Sequence, residues 1–209
     1  MPITERLPVG ALAEDIVDLV RTTEPAAIAH HSLRTFLFAE LIARATGLDR
    51  DPEYDRDVLF AAAVMHDLGL GAGVPGRERF EVEGADRAAA LLRSHGVPAP
   101  TVDRVWEAIA LHSSAGIAER RGVIATLTRA GVAADLGRHI DIVGEHEAAI
   151  HAEYPRDGAV TAIVDAVVAH AARSAAAGAP YTLAGELARE RGLGPTRLEL
   201  STVTAPWSH

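Results

Sequence analysis

The chain contains no cysteine and no lysine. The first absence excludes disulfides, thiolate metal sites and cysteine nucleophiles together. The second excludes Schiff-base chemistry and a phosphate-loop ammonium, so all 20 basic residues are arginine. Aromatic residues are scarce, with 2 Trp, 3 Tyr and 4 Phe, too few to build stacking platforms for single-stranded nucleic acid. Positive charge is in deficit as well. The net charge of −9 comes with no basic stripe, which repels a polyanionic backbone and speaks against a nucleic-acid partner. Long apolar runs are missing: residues 59–65 are typical and fall far short of the about 20 residues needed to span a bilayer. No basic start followed by an apolar core and a cleavage site is visible. The expectation is a cytoplasmic protein with no membrane partner and a small-molecule substrate.

What is abundant is alanine, 41 residues or about a fifth of the chain, which favours helix. Hydrophobic residues at 48% and charged residues at 23% give an ordinary globular balance. Apolar positions recur at helical period and predict helices over 11–22, 25–46, 55–68, 81–95, 101–111, 123–136, 142–151, 159–177 and 182–191. Gly47, Gly69 and Gly96 stand at helix stops, and Thr101 is placed to cap its helix. Residues 69–79 carry four glycines and Pro75 and read as a loop, used as a lid or pocket wall. The fold expected is all-α, a single-domain helical bundle over 1–191, followed by a C-terminal arm at 192–209 without helical period. The alanine-rich stretch 159–177 offers a surface for close packing against a second copy, a homo-oligomer.

Chemistry concentrates in a few places. Ala61-Ala62-Ala63-Val64-Met65-His66-Asp67-Leu68-Gly69 sets a His-Asp pair at the end of an apolar segment. A buried carboxylate costs several kcal/mol unless it is paired or bound to a metal. His30 and His31 lie early in a helix that is otherwise apolar at Leu33, Phe36, Leu37 and Leu41. Further on stand Leu111-His112-Ser113-Ser114 and Gly131-Val132-Ala133-Ala134-Asp135. Taken singly, each histidine is explained by a helix-end bond to a carbonyl. Together, imidazoles and carboxylates recurring at the ends of apolar helices are what a divalent metal in a helical bundle requires. The glycine loop lacks the Gly-Lys-Ser/Thr ending of a phosphate loop, and the serines after His112 lack a nucleophile elbow.

His31, the His66-Asp67 pair and the distant Asp135 resemble the ligand series of the HD-domain metalloenzyme superfamily. Within it, His31-x-x-Arg34 with Phe36 and Phe38, Arg79-Phe80-Glu81-Val82-Glu83-Gly84-Ala85, Trp106 through His112 with Gly116-Ile117-Ala118, Gly131-Val132-x-x-Asp135 and Tyr154-Pro155-Arg156 look like the cyanamide-hydratase-like branch. The resemblance runs in order over about residues 12–190. It implies one divalent ion, zinc by resemblance with iron, manganese and nickel as other candidates, bound by His31, His66, Asp67 and Asp135. His31 is preferred to His30 because Arg34 follows it at i+3 on the same helix face. Asp141 is the rival for the last position.

The activity implied is that of a hydrolase or hydratase adding metal-activated water to a small molecule, a cyanamide-like nitrile first. Asp67 and His112 move protons, and His112 and Arg34 meet substrate, although a structural partner for Arg34 is the more economical reading. Phe36 and Phe38 are expected to line a dry pocket and Phe80 to belong to the core. The alternatives are an HD-type phosphohydrolase served by Arg34, Arg77 and Arg79, a di-iron oxygenase drawing on His95 and His112, and a non-catalytic metal-binding module. His139, His146, His151, His170 and His209 are assigned to the surface or to helix packing.

Overall fold

The computed structural model describes residues 7–192 and residue 199. Among them stand ten α-helices and no strand: α1 (Ala11–Thr23), α2 (Ala26–Thr46), α3 (Arg56–Val64), α4 (Phe80–Ser94), α5 (Ala99–Leu111), α6 (Val123–Asp135), α7 (Ile140–Val143), α8 (Glu147–Glu153), α9 (Ala159–Ala171) and α10 (Leu183–Arg191). The expected all-α bundle is observed. Most of the segment expected as a C-terminal arm lies outside the described residues.

The bundle is arranged around α2. Its sequence is apolar on nearly every side, with Ile28, Leu33, Phe36, Leu37, Phe38 and Ile42 all buried, and a helix without a polar face belongs in the middle of a fold. It stops at Gly47, whose φ of 76° places it in the left-handed region where glycine carries no Cβ penalty. Helices α3, α6 and α9 pack against α2, while α4 and α5 pair with each other and α5 closes on α6. The approach of α6 to α2 depends on Gly131, because a Cβ there would collide with the Thr35 carbonyl. That close crossing brings Asp135, one turn further along α6, level with His31 and Arg34 on α2. A smaller apolar cluster, including Ile28, Phe80, Ile163 and Val167, seats α9 and α10 over the start of α2 and α4.

Several helix boundaries differ from those read in the sequence. The helix expected over 55–68 begins as expected, with the Asp55 carboxylate accepting from the amides of Asp57 and Val58, but it ends at Val64. Met65 and Asp67 adopt φ near −100° with ψ near 10°, the sparsely populated bridge region. His66 and Asp67 therefore lie in the turn after the helix. The chain continues as a 3-10 turn, Leu68–Leu70, held close to α4 because Gly69 has no Cβ to strike the Phe80 carbonyl. Helix α5 starts at Ala99 behind Pro98, not at a Thr101 cap, since Pro100 fits the first turn, where its missing N–H has no helical partner to lose. Residues 142–151 divide into α7 and α8, and α9 ends at Ala171 instead of running to 177.

The glycine loop is not a free lid. The Glu83 carboxylate accepts from the amides of Gly76, Arg77 and Glu78 at 2.9, 2.7 and 3.2 Å. On the other side, Arg173 donates to the Val74 carbonyl, Ser174 to that of Arg77, and His170 to that of Glu78. Gly76 fits against the Arg173 side chain at a φ of 69°. The loop is thus a fixed wall beside α4. Glu83→Ala should speed hydrogen exchange at the Gly76, Arg77 and Glu78 amides while α4 stays protected; unchanged exchange at those three amides would contradict the clamp.

Candidate metal centre

His31, His66 and Asp67 are buried together and place one ligand atom each within 4.8 Å of one another, the one such group among the described residues. His66 Nε2 stands 3.2 Å from His31 Nε2 and 3.2 Å from Asp67 Oδ2. His112 joins from α5, its Nε2 3.7 Å from Asp67 Oδ1. The rings meet edge-on in series, His31 to His66 at 5.0 Å and His66 to His112 at 4.8 Å between centroids, with Phe80 edging onto His112 at 5.6 Å.

The tautomer of each ring follows from its other nitrogen. His66 Nδ1 donates to the Ala63 carbonyl at 2.8 Å and His112 Nδ1 to the Ile109 carbonyl at 2.7 Å. A carbonyl only accepts, so both protons sit on Nδ1 and both Nε2 lone pairs are free. Each acceptor is the carbonyl three residues back at a helix end, where carbonyls keep accepting capacity; that of Ile109 also takes the His112 amide at 3.3 Å. The helix-end bond expected of an ordinary structural histidine is therefore the device that aims these rings. His31 Nδ1 donates to Asp135 Oδ2 at 2.6 Å, which frees its Nε2 in the same way.

Lone pairs of His31 and His66 facing each other at 3.2 Å, beside a carboxylate, demand a positive charge between them. The donor set meets that demand for a divalent ion, two imidazoles and one carboxylate being a familiar combination for zinc and related metals. Without an ion, a proton takes the place: burial works against it, but the Asp67 charge prevails and raises the pKa of His66. The reciprocal effect holds Asp67 well below the carboxylate range, its burial outweighed by His66, His112 and His31. Burial, with the charge of His66, pushes His112 down to about 4 against the pull of Asp67 and Glu81. His31 is lowered by burial despite Asp135.

Asp135, expected as the fourth ligand, is not brought into this cluster. Its carboxylate lies on the Nδ1 side of His31, in a bidentate pair with Arg34: Nε to Oδ1 at 2.7 Å and Nη2 to Oδ2 at 2.8 Å. Arg156 adds a bond to the Asp135 carbonyl at 2.8 Å and a longer contact to Oδ1 at 3.4 Å. Arg34 is completely buried, and its remaining nitrogen donates to the carbonyls of Tyr154 and Pro155. The structural partner expected for it is thus found in Asp135. His151, assigned to the surface or to packing, stands with Nε2 3.9 Å from Asp135 Oδ1.

Other expectations resolve as follows. His30 points away, against the Pro155 carbonyl, and His95 pairs with Asp15 of α1 at 2.9 Å, so His95 and His112 do not share a second metal position. Phe36 packs on Phe60 and Phe38 on His151, whereas Phe80 is the phenylalanine that flanks His112. Glu81 is fully buried, bonded by Arg79 and by the Ser113 hydroxyl at 2.5 Å, and thereby fixes the turn that carries His112. Burial raises its pKa, but Arg79 and His112 bring it below the ordinary value. Glu24 was not singled out in the sequence. It accepts from Ser32 through Oε2 at 3.3 Å and leaves Oε1 without a partner among the described residues. Burial and the Asp67 charge push its carboxyl well up. Its only sequence signal is a glutamate set directly before the proline that opens α2.

The chain belongs to the HD domain family: the sequence profile of that domain matches residues 28–136, the span that carries His31, Arg34, His66, Asp67, His112 and Asp135. A comparison with curated proteins found no match. The family assignment brings metal-dependent hydrolase-type activity, and His31, His66 and Asp67 form a group able to hold the divalent ion. Among the described residues no helix is long and apolar enough to cross a membrane.

The depressed pKa of His112 has a consequence for stability. Between about 6.5 and about 4 the unfolded chain takes up a proton that folded His112 refuses, so stability falls as pH drops through that window. His66 works in the opposite sense, its contribution fading as pH rises. His112→Gln in metal-free protein should flatten the acid-side loss measured by denaturant unfolding at pH 6.5 and pH 4. Identical losses in both proteins would contradict a neutral, buried His112.

Proposed function

We propose that the protein is a hydrolase or hydratase that adds water to a small neutral electrophile, with a cyanamide-like nitrile as the leading substrate class, at a single divalent ion held by His31, His66 and Asp67. The observation that carries this reading is the convergence of three buried Nε2 atoms on one carboxylate. An ion bound there supplies Lewis acidity and polarises water for attack. The donors carry one negative charge among them. Zinc is the metal favoured by the ligand types and by the cyanamide-hydratase-like resemblance, and the small branch-specific segments around residues 79–85 and 106–118 point to the same chemistry.

His112 is the residue placed to hold or pass a proton. Its Nδ1 is locked to a carbonyl, its Nε2 is a free acceptor facing Asp67, and its low pKa keeps it neutral at pH 7. The Phe80 ring packs edge-on against His112. The arginines favour a neutral substrate over a phosphate ester. Of the three nearest in sequence to the site, Arg34 is spent on Asp135 and Arg79 on Glu81, which leaves the exposed Arg77. Phosphoryl transfer depends on cations that clamp developing charge. Phosphomonoester hydrolysis remains the second reading because a dipositive ion on this donor set keeps a net positive charge.

Two experiments test the reading. Protein purified without added metal should contain close to one divalent ion per chain by elemental analysis, and His66→Ala and Asp67→Ala should lose both the ion and the stabilisation that comes with it. Full occupancy in both variants would defeat the assignment. With the native metal, urea release from cyanamide is set beside phosphate release from a nucleotide panel. Urea formation is expected, and His112→Ala should keep the ion while turnover drops about 10²-fold or more; efficient phosphate release with no urea would replace this reading by the second.

A further inference from the structure

Residues 80 and 81, at the start of α4, grip residues 112 and 113, at the end of α5. The Phe80 ring edges onto His112, and the Glu81 carboxylate accepts from the Ser113 hydroxyl at 2.5 Å. Arg79 donates to the same carboxylate through Nη2 at 2.8 Å and Nε at 3.3 Å. The main chain of the turn is held as well. Arg129 donates to the His112 carbonyl at 2.9 Å, and the Ser114 amide to the Leu111 carbonyl at 2.8 Å. The hydratase reading above uses His112 and gives the Ser113 hydroxyl no part.

A serine hydroxyl has one proton to give and two lone pairs that accept. Although burial opposes it, Arg79 keeps the Glu81 carboxyl below its ordinary pKa. The carboxylate only accepts, so the Ser113 proton is committed to it and Oγ meets any further partner as an acceptor. Glu81 is fully buried whereas Ser113 is half-buried, so the serine oxygen is the one of the two within reach of a ligand. Keeping a carboxylate fully buried is costly; its use here orients one hydroxyl and removes its capacity to donate. Adjacent Cα atoms are about 3.8 Å apart, so groups on residues 112 and 113 can meet one small molecule together. We propose that Ser113 is a specificity-determining residue, its Oγ accepting a hydrogen bond from the amino N–H of a cyanamide-like substrate while His112 serves the reacting end. The inference rests on the hydratase reading and narrows it from nitriles in general to amino-bearing ones.

The test is the steady-state kinetics of urea release from cyanamide by the zinc-loaded full-length chain and its Ser113→Ala and Ser113→Thr variants, each checked for folding by circular dichroism. A hydrogen bond made equally in the bound ground state and the transition state shows in KM and not in kcat. Ser113→Ala should therefore keep its zinc and show a KM about 3- to 10-fold higher, with kcat within about twofold of the wild type. Ser113→Thr keeps the hydroxyl and should restore the KM. Acetonitrile, which has the shape of cyanamide without an amino N–H, should inhibit all three proteins alike. An unmoved KM in Ser113→Ala overturns the proposal, as does a threonine variant impaired as much as the alanine one. A fall in kcat as large as the rise in KM, or acetonitrile inhibition that weakens in step with it, also overturns it by marking Ser113 as a tether of the His112 turn alone. If the hydratase reading is what fails, the wild type forms no urea and this inference falls with it; wild-type urea formation with an unmoved KM in Ser113→Ala defeats this inference alone.

Discussion

The buried pair between Arg34 and Asp135 is the constraint on which the centre depends. Both side chains are withdrawn from water, and removing one partner of such a pair costs about 3–5 kcal/mol because the other is left charged and unpaired. The pair is also a crossing point. Arg34 belongs to α2, Asp135 ends α6, and the carbonyls of Tyr154 and Pro155 bring in the segment after α8. Gly131 makes the crossing close enough, and Asp135 passes the constraint on to His31. An ion pair that looks like scaffold is thereby tied to His31.

The other two histidines are set by a simpler device. Ending a helix leaves carbonyls with accepting capacity to spare, and the His66 and His112 rings each turn back to one of them. The same bond satisfies the backbone and frees Nε2. The wall on the far side is built from local contacts as well: Glu81 ties Ser113 next to His112, and Glu83 gathers three loop amides. Those amides lower the Glu83 pKa against the effect of its partial burial.

Much of this was legible in the sequence. Helical period and alanine content gave the all-α bundle, Gly47 marked a helix end through a left-handed turn, and the start of α3 was read at Asp55, which the structure shows to be a side-chain cap. The His66-Asp67 pair stood out because a carboxylate in an apolar run needs a partner. What pattern could not supply is direction. Nothing in the spacing of His31 and Asp135 says which nitrogen the carboxylate meets, since that depends on how deeply α6 settles on α2. The early end of α3 escaped for a related reason: the apolar run continues through Leu68 because Met65 and Leu68 are buried in the turn as fully as in a helix. The loop at 69–79 reads as mobile by its glycines, yet it is anchored by Glu83 on α4 and by the distant His170, Arg173 and Ser174 at and beyond the end of α9.

The central claim is that one divalent ion binds where His31, His66 and Asp67 converge. Anomalous diffraction from crystals of the zinc-loaded protein, recorded on both sides of the zinc absorption edge, tests it most directly. The account predicts one peak bonded to the Nε2 atoms of His31 and His66 and to the Asp67 carboxylate. No peak, or one remote from these residues, would contradict it.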